Sequence, residues 1–434
     1  MKAVKGYIDA VCAAGATDAQ VKRVGSSTRY VFFESNTLKT LKSDTDTSLS
    51  VKAFAGNKAA TASTKDEQAM PEIIAESLAL ANASKADEAL CLPEPEPVEA
   101  IEGLYDENEP DLATCLAAAK ELVDMARGYD PRVTIDSCIV QTKRTRYELA
   151  NSRGIDVRED STYSRCVLMG MAREGSQVSS FDHEMAMDVT WGRMHAEIES
   201  IAVRFAKGVV ESLGARPAPK MTGHVLLSPD ITGEILWTVS SLVNARSVQE
   251  NASRFKGKIG RQVAAEIITI RDEPRVPGSF LSSAFDSEGV PTREMTIVEK
   301  GILQGYIYDA YTARKDGTRS TGHSSGGTGI SLHAPVLAGT MPLAEMRTKM
   351  SSGVYVKRYS GDMNPLTGIF SGVVKGGRYI EKGEDVYSIT DTMINTDLFD
   401  LYMNIEAVSN ERELTGWGMQ PYLLVNNVNI IGRS

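Results

Sequence analysis

Apolar positions along the chain change period several times. Residues 2–14 carry them at helical spacing, and Gly15 stops the run. From about 18 to 62, short β-branched and aromatic runs (VKRV, RYVFFE, LKTLKS, SLSVKAFA, NKAATAS) are punctuated by Gly, Ser, Asn and Asp. That pattern predicts an antiparallel meander. MPEIIAESLALANAS, 70–84, returns to helical spacing. In CLPEPEPVEAIEG, 91–103, Pro93, Pro95 and Pro97 alternate with glutamates, which predicts an extended linker.

A second segment opens with DLATCLAAAKELVDMARG. Leu112, Cys115, Leu116, Ala119, Leu122, Val123 and Ala126 fall on one helical face, with Gly128 as the stop. Strand-like runs follow (VTIDSCIVQT, RYELANS, STYSRCVLMGMA). A closing helix places Ile198, Ile201, Ala202, Phe205, Val209 and Leu213 on one face, with Gly214 as its cap. RPAPK, 216–220, is a second linker. The third segment is glycine-rich and mostly strand-like. Near its start, Ser228 suits an N-cap, Pro229 the first helical position, and Asp230 the positive end of the dipole. Ile231, Ile235, Leu236, Val239, Leu242 and Val243 then form an apolar stripe. TIVEKGILQGYIYD predicts a hairpin turning at Lys300-Gly301. STGHSSGGTGIS, 320–331, is rich enough in glycine to predict a loop. The expected organisation is an N-terminal domain over 1–90, a linker over 91–107, a central domain over 108–215 and a C-terminal domain over 221–434. The fold class is α+β: a sheet-rich α/β N-terminal half in two parts, then a β-rich, barrel-like C-terminal domain.

Composition narrows the function. No run approaches 18 apolar residues, so no transmembrane helix is expected. Asp9 interrupts the N-terminal apolar stretch, which argues against a signal peptide, and the expected location is the cytoplasm. The five cysteines are scattered and form no CxxC, as expected of reduced thiols, and Cys115 falls on an apolar helical face. With 57 acidic and 47 basic residues the net charge is −10, and no window clusters Lys and Arg. Direct nucleic-acid binding is disfavoured, because phosphate attraction dominates that affinity.

Candidate chemistry is sparse. FDHEMAMDVTWGRMH, 181–195, contains His183-Glu184, but the position four after the first histidine is Met187, a poor zinc ligand. His195 would lie about 120° around a helix and roughly 18 Å along it from His183, too far for one ion. Both histidines read as surface or capping residues. Asp286, Ser287 and Glu288 place two carboxylates in a turn before a strand, which suits a cation site, an acid/base pair, or a turn with solvated carboxylates. Thr321 and His323 lie in the glycine-rich loop. A nucleophile needs a base about 3 Å away and a third orienting group, and adjacent loop residues rarely supply that. Contact with a peptide or a partner, or a tight turn, suits them better. His224 and His333 are further ligand candidates.

The longest specific text is SAFDSEGVPTREMTIVEKGILQGYIYDAYTARKDGTRSTGH, 283–323. FDSEGVPTR, the EKGILQGYIYD hairpin, YTARK and STGH in this order resemble the C-terminal region of the TldD/PmbA (TldE) family. SRFKGKIGRQVAAEIITIRDEPRVPG (253–278) and MQPYLLVNNVNIIG (419–432) extend the resemblance over most of 221–434. Over 1–220 it rests on plan alone. TldD-type members resemble metalloproteases with HExxxH on the helix that opens the C-terminal domain and a late cysteine as third zinc ligand. Aligned on that helix, the first histidine position is Trp237, the glutamate Thr238 and the second histidine Leu242. No cysteine follows Cys166.

The resemblance therefore implies a PmbA/TldE-type chain with no catalytic residue and no metal ligand of its own. Zinc is expected in a TldD-type HExxxH partner. The pair would form a heterodimer acting on unfolded or flexible peptides, as in peptide-antibiotic maturation and antitoxin turnover, and this chain would shape the substrate chamber. In isolation it would homodimerise. Asp286, Glu288, Arg314, Thr321 and His323 are its candidates for peptide or partner contact. An older family label, modulator of DNA gyrase, finds no support in the charge. Two alternatives stay open: an autonomous homodimeric peptidase using Asp286, Glu288 and His323, and a peptide-binding assembly protein.

Overall fold

The protein is described by a computed structural model over residues 3–432; residue 2 of the expected first helix lies outside the described residues. That helix, α1, spans Lys5–Ala13, and α2 spans Met70–Ala83. The expected short strands between them merge. VKRV and RYVFFE belong to one strand, β1 (Asp18–Glu34), and LKTLKS and SLSVKAFA to β2 (Thr37–Phe54), followed by β3 (Ala59–Thr64). Likewise VTIDSCIVQT and RYELANS lie in one strand, β4 (Val133–Asn151), paired with β5 (Asp156–Glu174). The polar stretches read as punctuation pair in register instead, with Ser26 opposite both Asp46 and Thr145.

The reason is that strands of this length, about 55 Å, are covered at both ends and not in the middle. Val21, Leu49 and Val51 lie under α1 and α2. Val31, Phe33, Val140 and Leu168 lie under α3 (Leu112–Tyr129) and α5 (Ile198–Glu211). The polar middle bridges two cores on one sheet. Its order is β3-β2-β1-β4-β5, with β6 (Gln177–Val178) and β7 (Asp182–Asp188) both pairing with β5. The segments 1–90 and 108–215 thus share a sheet, joined by β1 and β4 from Gln20 opposite Asn151 to Glu34 opposite Ser137. Residues 84–111, between α2 and α3, contain no helix or strand. Gly128 does not stop α3, which continues to Tyr129 and ends at the extended Asp130. Buried Ala126 holds the last turn against the core.

The C-terminal region starts with β8 (Met221–Leu227) and passes through the Ser228 cap into α6 (Pro229–Val243). After α7 (Ala245–Gln249) come β9 (Ile270–Asp272), β10 (Met295–Glu299) and β11 (Ile302–Leu303). The β10–β11 hairpin turns at Lys300-Gly301, both at positive φ. A Cβ on Gly301 would sit 2.3 Å from the Ala264 carbonyl oxygen, so only glycine fits. Then follow α8 (Ala310–Asp316), β12 (Ser324–Gly326), β13 (Gly329–Ile330), β14 (Pro335–Leu337) and α9 (Leu343–Thr348). The stretch expected as a loop therefore holds a small ribbon, β12 paired with β13, which its glycines allow to turn tightly. The remaining elements are β15 (Ser352–Val356), β16 (Arg358–Met363), β17 (Ile369–Lys375), β18 (Gly377–Glu381), β19 (Glu384–Ile389), β20 (Thr392–Asp397), α10 (Leu398–Met403), β21 (Ile405–Thr415) and β22 (Gly418–Gly432).

These build a curled half-barrel sheet in the order β16-β17-β20-β22-β8-β15-β18-β19, with β21 also on β22. A smaller sheet runs β11-β10-β9-β14. β8 and β15 are parallel neighbours, and α6 lies on the connection between them. Its stripe of Ile231, Ile235, Leu236, Val239, Leu242 and Val243 shares one core with Val225, Leu227, Leu423 and Val425. Each such side chain contributes roughly 1.5–3 kcal/mol on burial. The α+β class and the barrel-like C-terminal region are as the sequence predicts.

One ionic cluster ties the two sheets together. Lys357, between β15 and β16, places Nζ 2.7 Å from Asp182 Oδ2 and 2.7 Å from Glu184 Oε1, both on β7. Arg358 Nε adds a contact of 3.2 Å to Asp182 Oδ1 and also donates to the Phe181 carbonyl. Asp182 is buried, so its charge depends on these partners. Lys357→Met should therefore destabilise the fold by about 3 kcal/mol in denaturant titrations; a loss under about 1 kcal/mol, the range of an exposed pair, would contradict this role for the cluster.

Candidate functional site

The resemblance points to α6 as the helix where a metal motif would stand, and the side chains of α6 are committed to packing. Thr238 donates to the Ile235 carbonyl at 2.6 Å and stands 2.5 Å from the Tyr402 hydroxyl, which donates to it in turn. Leu242 is fully in the core. Trp237 is 47% exposed and packs on Trp417, with ring centroids 5.8 Å apart. Trp417 seats against the helix because residue 233 is glycine; a Cβ there would lie 2.4 Å from the indole. An indole, a committed hydroxyl and an alkyl chain offer zinc no donor set, so the metal does not fit these positions. Among the described residues, no group of three or more His, Cys, Asp or Glu is placed to hold a metal ion.

The FDSEG and STGH motifs do come together, as a chain-routing hub. Asp286 Oδ1 accepts the backbone N–H of Glu288 and Val290 at 2.9 and 3.0 Å, and Oδ2 accepts that of Ser324 at 3.0 Å. Ser287 Oγ donates to the Ser324 carbonyl at 2.7 Å. Glu288 accepts the N–H of Ala310, the first residue of α8, at 2.8 Å. His323 stands 2.9 Å from Thr321 Oγ1 through Nδ1 and 3.1 Å from Asp272 Oδ2 through Nε2. Asp272 also accepts the N–H of His333 and Ala334. Arg314 is exposed on α8, near the Leu90 carbonyl.

The reading of Asp286 as a solvated turn carboxylate is corrected: it is only 3% exposed, and its oxygens order the backbone. Burial first, and the Glu288 charge second, push its carboxyl up to about 7 against those backbone donors. Burial is also the main cause that raises Glu288. His323 is 1% exposed. The Thr321–His323–Asp272 chain has the order of a nucleophilic relay, but its histidine is shut away from solvent, and the arrangement suits structure.

His183 and His195 lie on different elements. His195, on α4 (Trp191–Ala196), packs on Trp191 and stands 3.3 Å from Glu121. His224 stands 3.1 Å from Glu406. His183 belongs to β7 and faces a cleft of about 570 Å³ enclosed by β7, the first turn of α6 and the turn between β21 and β22. Burial is the main cause that lowers its pKa. Glu184, Asp230, Lys357 and Glu413 also line this cleft. The Asp230 carboxylate makes no hydrogen bond or ion pair among the described residues. Burial, followed by the charges of Glu184, Glu234 and Glu413 against the opposing pull of Lys357, raises its carboxyl to about 6. The cleft escapes a helical reading of 181–195. FDHEMAMD carries no clear alternation to mark it as a strand: in β7 only Asp182 and Ala186 are buried, four positions apart. Lys357 and Glu413 come from distant strands and carry no local signal.

Residues 220–432 match the model of the PmbA/TldA metallopeptidase C-terminal domain, and residues 105–213 that of the central domain. The chain is 26% identical to the metalloprotease PmbA homolog of Haemophilus influenzae over 85% of this chain and 82% of that one. It is 27% identical to metalloprotease PmbA of Escherichia coli O157:H7 over 54% of this chain and 51% of that one. The chain thus spans about half the length of this second relative. The crystal structure of TldE from Thermococcus kodakarensis superimposes with a TM-score of 0.92 at 22% identity, covering 99% of this chain and 100% of that one. No helix among the described residues is long and apolar enough to cross a membrane.

A carboxyl raised in the fold binds protons more tightly folded than unfolded, so its contribution to stability falls as pH rises from the unfolded value near 4 to the folded value near 6. Asp230→Asn should remove that decline and stabilise the chain above pH 6 by about 1 kcal/mol, read as thermal unfolding against pH. Parallel profiles for the two proteins would show that Asp230 is not strained by its site.

Proposed function

The chain belongs to the PmbA/TldD metallopeptidase family, and we propose that within it this chain is the zinc-less PmbA/TldE-type subunit. It pairs in the cytoplasm with a TldD-type HExxxH subunit and shapes the chamber in which unfolded or flexible peptides are cut. On its own it forms a homodimer. The observation that carries this reading is α6: Trp237, Thr238 and Leu242 stand at the motif positions, and the last two are built into the core. Refilling those positions with histidine and glutamate would put polar groups where Val239, Leu236 and Tyr402 pack. The chain supplies walls instead of ligands, and zinc chemistry falls to the partner.

The autonomous-peptidase alternative is weakened by the burial of Asp286 and His323, which leaves neither group a path to substrate. Incubating an unfolded peptide with the chain alone, with a TldD-type subunit alone and with both tests the proposal. The expected outcome is cleavage that requires the HExxxH subunit and rises when this chain is added. Chelator-sensitive cleavage by this chain alone would contradict it.

A further inference from the structure

The cleft between β7 and α6 has a charge imbalance that its own residues do not resolve. Each lysine and arginine on its lining is already paired, and burial disfavours the charged form of His183. Lys357 holds Asp182 and Glu184, Arg204 lies 3.2 Å from Glu184, and Arg193 lies 2.9 Å from Asp188. Asp230 has no such partner, although it lies half-buried beside three further carboxylates. Among the described residues, Glu413, at the rim, has only the Tyr422 hydroxyl as a side-chain partner. The positive end of the α6 dipole and Lys357 offset part of the Asp230 charge, and a cation in the cleft would offset the rest.

The walls define what kind of cation fits. Met185, Met187, Met194 and Met419 line the same space. Met185 lies 3.8 Å from where a Cβ on Gly416 would stand, so the β21–β22 turn closes down against β7. Thioether chains are flexible and polarizable and adapt to varied apolar shapes. A small inorganic ion would not use them. A charged head on an apolar stem would, because such side chains bury the methylenes and keep the charge on a polar group.

We propose that this cleft binds a lysine or arginine side chain of a peptide, with Asp230 receiving the cation and the methionines holding its aliphatic stem. The site therefore selects among flexible peptides by a basic residue. It rests on the proposed function only in taking the ligand to be part of a peptide.

The test is fluorescence anisotropy with the full chain alone, at low salt, using labelled pentapeptides that differ only in lysine or norleucine at the centre. The lysine peptide should bind about tenfold more tightly, as expected for an added close charge pair. Asp230→Asn should abolish that preference, and Glu413→Gln should reduce it. Equal binding of both peptides, or a preference unchanged in Asp230→Asn, would overturn the site. Competition by n-butylamine as effective as by the lysine peptide would overturn the assignment to a peptide. No cleavage is measured, so this outcome is separate from that of mixing the two subunits. Peptide discrimination without cleavage in the mixture would sink the subunit role alone; cleavage without discrimination would sink the cleft alone.

Discussion

The cluster of Asp182, Glu184, Lys357 and Arg358, built around one buried carboxylate, is the interaction on which the arrangement of this chain depends. Its carboxylates come from β7, on the sheet shared by the first two segments, and its cations from the β15–β16 connection in the half-barrel. A buried acid and a half-buried one held by two bases fix one relative placement, because any shift would leave the Asp182 charge unpaired in a poorly solvated place. The cleft is a direct consequence. With β7 locked by its first residues, its remaining length runs past the start of α6, and the β21–β22 turn closes the far side. Lys357 and its carboxylates also set the electrostatics there, since the cations are used in the joint and Asp230 is left over.

α6 shows how packing decides what a helix can offer chemically. It bridges parallel neighbours in the central part of the half-barrel, so one face must be apolar. In this chain the apolar requirement extends to Leu242, and Thr238 turns its hydroxyl to a carbonyl and a tyrosine. Trp237 and Trp417 cover what remains of that end, on a glycine that lets the second indole approach. The side chains of this helix are spent on packing and offer no donor set. The FDSEG and STGH motifs hold in the same spirit: their charges are spent on backbone N–H groups that route the chain between the small sheet and the linker.

Local features were legible in the sequence. The Ser228 cap, the α6 stripe and the Lys300-Gly301 turn depend on residues a few positions apart, and they appear where the patterns put them. So does the family, because its motif is long and ordered. Long strands were not legible, since Ser26 or Thr145 looks like a turn residue until its partners across the sheet are known. Gly128 looks like a stop unless the core under Ala126 is seen. Asp286 looks solvated until Ser324, thirty-eight positions later, is found donating to it. The cleft was hidden for the same reason: its carboxylates and its lysine meet only through tertiary structure.

The central claim is that this chain carries no zinc site of its own and leaves the metal to a partner. Elemental analysis of the chain, purified alone without added metal or chelator, addresses it most directly. The account predicts zinc near zero per chain, and a normal metal content only when a TldD-type subunit is present. About one zinc per lone chain, retained through gel filtration, would mean that ligands away from α6 form a site. The non-catalytic role would then be wrong.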